Sequence, residues 1–314
     1  MPVEIRTTSD TVPPTTPTNI TAPSGVLFAQ LHLPTDNNFS QCVIMLNSGM
    51  MNRVGPQRLY WKFARQACEE GIAVIRVDLA GVGDSLAEID ETHFDNHRKE
   101  DVSAIIDYVR EQWPQADIIL QGLCAGARVS FKAAIVNQNV VGLLAWSTEI
   151  FTASQNMPQS PHEPEDRLSD YEVSNTLSRF FNFLIRFKFL SPKWWHEQYP
   201  GGKGIKDEIK HVAHCTFKAL RFSGDQSKGE FLEAADEYLK TNRKVLFLFG
   251  EYDERAYSEF HSRFPQIPRG ADLGQCYEVV DKGTHTFSTA KSQHQLIELS
   301  IDWLKQQSSN ISRA

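Results

Sequence analysis

Gly122-Leu123-Cys124-Ala125-Gly126 sets a thiol between two glycines, after a short apolar run at 118–120 and before a helix-forming segment at 128–136. A side chain held on such a strand-to-helix turn sits in a strained backbone, and bulky residues at either flank would collide. The turn aims a helix N-terminus at the sulfur, where the dipole favours a thiolate and any oxyanion formed later. The pattern is GxSxG with sulfur in place of oxygen. Its chemistry would be nucleophilic attack on an acyl carbon.

A thiol in that role needs a base. Of the ten histidines, only His285 falls in the loop after the last expected strand, within Lys282-Gly283-Thr284-His285-Thr286-Phe287. Asp253, in Phe249-Gly250-Glu251-Tyr252-Asp253, follows the apolar run at 244–249 and would orient the imidazole. Glu149 and Glu251 are the competing acids, with Asp253 preferred because the order Cys124, Asp253, His285 then runs nucleophile, acid, histidine. An oxyanion hole would combine the Ala125 N–H with one from Asn47-Ser48-Gly49-Met50-Met51-Asn52-Arg53. Met50 is the expected second donor, with Met51 as the alternative.

Positioning these residues takes alternating strands and helices. Strands are expected at 26–33, 42–46, 72–77, 118–120, 140–146, 244–249 and 276–280, and helices at 58–70, 99–113, 128–136 and 293–305. The rhythm predicts an α/β fold, with a mostly parallel central sheet flanked by helices. In a doubly wound sheet the loops after the strands meet at the carboxyl edge, so distant sequence positions become neighbours. Between 149 and 242 strand signals vanish, prolines and charges cluster, and an aromatic-rich helix follows. An inserted helical cap is expected there, dividing a core of 25–148 and 243–314. Residues 1–24, rich in Thr and Pro, are expected to form a flexible leader.

Within the cap, Phe180, Phe183 and Phe187 share a helical face, and Trp194 follows shortly after. Plain packing of a cap helix onto the core explains this stripe. A sharper reading is an apolar wall for a hydrophobic or aromatic acyl group.

The net charge of −7 argues against nucleic acid or anionic lipid as the main partner. No segment approaches the ~20 apolar residues that span a bilayer. The five cysteines lack disulfide or metal-ligand spacing, which points to a reducing, cytoplasmic setting. No metal or cofactor is expected, since ligand spacing and a phosphate-binding glycine loop are both missing.

Four motifs carry a resemblance: Arg53-Val54-Gly55-Pro56-Gln57-Arg58-Leu59, Val77-Asp78-Leu79-Ala80-Gly81-Val82-Gly83-Asp84-Ser85, the Cys124 turn, and His285-Thr286-Phe287. Together they resemble the α/β-hydrolase superfamily, and more narrowly the small hydrolases associated with bacterial exosortase systems. The resemblance implies the α/β-hydrolase fold and an enzyme that hydrolyses esters, thioesters or amides, or transfers acyl groups. Most members use serine; cysteine at this place resembles dienelactone hydrolases and some carrier-linked thioesterase domains. The chain departs from many members in having Ser48, where they have histidine, before the loop glycine. Three functions follow as expectations: hydrolysis of an activated (thio)ester by Cys124, His285 and Asp253; acyl transfer or condensation onto a non-water acceptor; or ligand binding without catalysis. The expected partner is a small acyl compound, free or carrier-bound.

Overall fold

Mostly apolar runs of six or seven residues build the inner strands, and most of those runs are buried on both faces. The computed structural model describes residues 15–86, 94–148, 226–241, 243–270 and 274–311. Among these, eight strands form one sheet: β1 Thr15–Ala22, β2 Gly25–His32, β3 Gln41–Leu46, β4 Ala73–Asp78, β5 Asp117–Leu123, β6 Val140–Trp146, β7 Lys244–Gly250 and β8 Gln275–Val280. Their order is β1-β2-β4-β3-β5-β6-β7-β8. The first two strands pair antiparallel and β2 lies antiparallel to β4, while every later pairing is parallel.

All six residues of β3 and of β4 are buried, as expected where helices cover both faces of a parallel sheet. Alternate side chains feed two cores. Ile44, Ile75 and Leu120 point to one, with Val102, Ile105 and Val109 of α2 (Phe94–Gln112) and Phe131 of α3 (Ala125–Val136). Met45, Val74 and Ile119 point to the other, with Phe63 of α1 (Leu59–Glu69) and Leu296 and Trp303 of a long C-terminal helix, Ala290–Ile311. Each such side chain contributes about 1.5–3 kcal/mol of burial free energy.

Two boundaries differ from the expectation. Thr15–Ala22, assigned above to a leader, is β1, an edge strand that buries Ile20 and Ala22. Its Thr- and Pro-rich composition hides this, because an edge strand tolerates Pro17 and keeps one face wet. The insertion expected to end at 242 stops earlier. Gln226–Leu239 is helix α4, and Phe231, Ala234, Ala235 and Tyr238 join the first core. Phe131 meets Phe231 and Tyr238 edge-on at 5.8 and 5.4 Å, and Tyr238 donates its hydroxyl to the Lys244 carbonyl at 2.8 Å. Residues from 227 onward accordingly share a compact unit with the strands before the insertion. Residues 149–225 of the expected cap lie outside the described residues, among them Phe180, Phe183, Phe187, Trp194 and Glu149.

A further helix, α5 Glu254–Arg263, follows directly on Asp253, and the C-terminal helix is α6. The 254–263 segment has no strong breaker-bounded apolar run in the sequence, yet Ala256 and Phe260 anchor it in the first core. Among the described residues no helix is long and apolar enough to cross a membrane.

Candidate active site

Cys124 stands between β5 and α3 with φ 55° and ψ −114°. A non-glycine residue in that conformation costs about 1–3 kcal/mol, so the surroundings must hold it there. Its N–H donates to the Trp146 carbonyl at 2.9 Å, and its own carbonyl accepts from the Ala127 N–H at 3.1 Å. Both flanking glycines are required by close approach. A Cβ on Gly122 would lie 2.1 Å from the Gly126 carbonyl carbon, and one on Gly126 would lie 2.6 Å from the Asn47 carbonyl oxygen. The thiol is half-buried, whereas Cys42, Cys68 and Cys276 are fully buried in the core. Burial pushes the Cys42 and Cys68 thiols up to about 12, which leaves them inert as nucleophiles at neutral pH.

The loops after β7 and β8 are pressed together. A Cβ on Gly250 would meet the Gly283 carbonyl oxygen at 2.3 Å, and the Tyr252 N–H donates to that same oxygen at 2.8 Å. Phe287, at φ 50° and fully buried, anchors the far end of the His285 loop. This contact of glycine on glycine sets Asp253 beside His285, with 2.8 Å between Oδ2 and Nδ1. The competing acid Glu251 is used elsewhere: its carboxylate accepts the Lys282 N–H at 2.8 Å.

Burial of His285 opposes its charge. Hydrogen bonds from the imidazole to Asp253 and to Cys124, together with attraction to both, outweigh that and raise its pKa to about 10. One imidazole thus stands between the carboxylate and the thiol, although positions 124 and 285 are 161 apart in the chain. The shift is toward the charged imidazole, the form that can donate a proton.

The first turn of α3 presents backbone N–H groups without intrahelical acceptors, Ala125 first among them. Opposite lies the 47–53 loop. Its Met51 N–H is committed to the Ser48 carbonyl at 3.0 Å, which takes Met51 out of the choice of donors in this conformation. Met50 lies at the tip, 66% exposed. Two residues given no role in the site by the sequence hold this region together. The buried Tyr60 donates its hydroxyl to the Leu46 carbonyl at 3.0 Å and accepts the Leu123 N–H at 3.1 Å, tying the end of β3 to the end of β5. A tyrosine on the otherwise apolar stripe of α1 was the available signal, since a buried hydroxyl needs partners. The second is Asp78, fully buried at the end of β4.

The strand order, the cysteine turn and the histidine loop now stand together, and the α/β-hydrolase fold family matches residues 43–254. The chain belongs to that family. No curated protein matches it in sequence. Solved α/β hydrolases share its fold at low identity. An esterase of Pyrococcus furiosus superposes with a TM-score of 0.57 at 15% identity, over 93% of this chain and 90% of its own. A dienelactone hydrolase from Anabaena variabilis gives 0.56 at 10%, over 94% and 98%. An α/β serine hydrolase homologue from Coxiella burnetii gives 0.52 at 17%, over 92% and 96%. In this α/β hydrolase a cavity of about 480 Å³ opens beside Gly250, Glu251 and Tyr257, and its lining does not include Cys124. The hydrogen-bonded series of side chains, rather than that cavity, locates the candidate chemistry. Among the described residues no cluster of His, Cys, Asp and Glu has the makings of a metal site.

Proposed function

We propose that this α/β hydrolase cleaves activated esters or thioesters through a covalent acyl group on Cys124. The observation that supports it most is the 2.8 Å contact of His285 with Asp253 beside Cys124, where both neighbours favour the charged imidazole. A thiolate–imidazolium pair is the reactive form of such a site. The thiolate attacks the acyl carbon and forms a C–S bond as the carbonyl π electrons move to oxygen. Backbone N–H groups of Ala125 and Met50 receive that oxyanion. Collapse expels the alkoxide or thiolate leaving group, which takes the proton from His285. Water then gives its proton to His285 and attacks the thioester, releasing the carboxylic acid and restoring the pair. Asp253 fixes the tautomer and stabilises the imidazolium.

Acyl transfer is a second reading, favoured by the sulfur itself. A thioester reacts readily with amines, thiols or carbanions, so a bound acceptor could replace water in the last step. The apolar wall at Phe180, Phe183, Phe187 and Trp194, a carrier-bound form of the substrate, kinship to exosortase-associated hydrolases and a cytoplasmic setting belong to this proposal and rest on sequence alone.

Intact-protein mass spectrometry after mixing with thioesters and aryl esters tests the proposal. An acyl adduct is expected on the wild type and absent from Cys124→Ala. Decay of the adduct in buffer marks hydrolysis, and an adduct that waits for an added amine or thiol marks transfer. Neither adduct nor turnover across a broad panel would leave a ligand-binding protein instead.

A further inference from the structure

The loop that carries the expected second oxyanion donor is tied down by one buried carboxylate. Asp78 is fully buried at the end of β4. It accepts the Arg53 N–H at 2.6 Å, the Arg53 guanidinium at 2.5 Å, the Asp84 N–H at 3.1 Å and the Asn47 amide at 3.3 Å. Asn47 in turn accepts the Leu79 N–H at 2.7 Å and donates to the Met51 carbonyl at 2.8 Å. Arg76 closes the set by donating to the Arg53 carbonyl at 3.0 Å. Loop 47–53 is therefore bonded to the β4 end at Asn47 and on both sides of Arg53, and Asn47 ties Met51 back across the loop, which leaves the Met50 tip exposed. Gly83 wraps the carboxylate so closely that a Cβ there would lie 2.1 Å from it.

A carboxylate taken wholly out of water is costly unless it is saturated with donors. Here three of the four donors come from the loop it holds. The geometry points to Asp78 as a positioning residue for the oxyanion site, fixing where the Met50 N–H stands relative to the Ala125 N–H. The inference rests on the reading of Cys124 as nucleophile. Displacing an oxyanion donor by about 1 Å costs on the order of 100-fold in rate, and most of that loss falls on the transition state rather than on substrate binding.

Two chemistries at the same sulfur separate this role from simple support of the fold. Alkylation of Cys124 by iodoacetamide needs the thiolate and builds no oxyanion. Acyl turnover and capture of a trifluoromethyl ketone both need the oxyanion site. In Asp78→Asn we expect kcat to fall about 10- to 100-fold with KM within about twofold. Affinity for the ketone should fall in parallel, and the iodoacetamide rate should stay unchanged. Arg53→Met keeps the backbone N–H bond to Asp78 and should show the same pattern at about 3- to 10-fold. That second variant carries the test if Asp78→Asn does not fold.

Wild-type kcat in either folded variant overturns the inference. So does a parallel fall in iodoacetamide and acyl rates, since that means general loosening around the thiol. A wild-type protein alkylated at Cys124 but never acylated overturns the nucleophile reading, and this inference with it.

Discussion

The proton on His285 ties the proposed chemistry to single side chains. Asp253 and Cys124 together raise its pKa to about 10 against the cost of burial. In Asp253→Asn the carboxylate partner becomes neutral and the imidazole is free to turn. The His285 pKa, followed by NMR titration, should drop below about 10, and turnover should fall by roughly 10²- to 10⁴-fold. Glu149→Gln should lose far less. A larger loss in Glu149→Gln would move the acid to the loop after β6. That Asp253 follows a strong apolar run was legible in the sequence, and its contact with His285 is what the structure adds. The dismissal of Glu251 needed the observed bond to the Lys282 N–H, because two residues' offset in a loop does not say where a side chain points.

At the scale of the elements, close backbone packing brings the loops of β3, β5, β7 and β8 to one edge. Gly250→Ala would drive a Cβ to 2.3 Å from the Gly283 carbonyl oxygen, whereas Gly274→Ala would meet nothing within 4 Å. Thermal and urea unfolding should show Gly250→Ala less stable by about 1–3 kcal/mol, with Gly274→Ala close to wild type. Gly250→Ala should also spread Asp253 from His285 and lower turnover. Tyr60→Phe removes the partner of the Leu46 carbonyl and the Leu123 N–H, two buried groups. A loss of about 1–3 kcal/mol is expected by the same unfolding measurements. The cysteine turn was visible as a motif because glycine is the only residue that fits its flanks. The Gly250–Gly283 contact was not, since nothing in either segment names its partner.

Over the whole molecule, two histidines pull stability in opposite directions with pH. Burial, then the nearby Arg76 charge, hold His32 down at about 3, and its Nε2 accepts the Arg76 Nε–H at 2.8 Å in the neutral form. Its unfolded value is 6.5, so the unfolded chain binds the extra proton between those limits. The stability it contributes is complete above pH 6.5 and is lost as pH falls toward about 3. His285 has the reverse sign, its folded pKa lying above the unfolded 6.5. Its contribution is complete below pH 6.5 and is lost as pH rises through about 10. Urea midpoints measured from pH 4 to pH 10 should therefore fall on both sides of a maximum at about pH 6.5. His32→Asn should flatten the acid limb and His285→Ala the alkaline limb. Limbs that keep their slopes in these variants would assign the pH dependence to other groups.

Local patterning by itself determined most strands, the helices that cover them, the glycine-flanked thiol, and the order Cys124, Asp253, His285 along the chain. These are properties of contiguous residues, set by periodicity, steric room and the needs of a sharp turn. Tertiary structure alone decided that Thr15–Ala22 completes the sheet edge and that α4 belongs to the core, because burial depends on which surface each segment meets. It also decided that Asp78 and Tyr60 brace the site. Their bonds to Leu46, Leu123 and Arg53 reach residues 14 to 63 positions away, which no local pattern specifies.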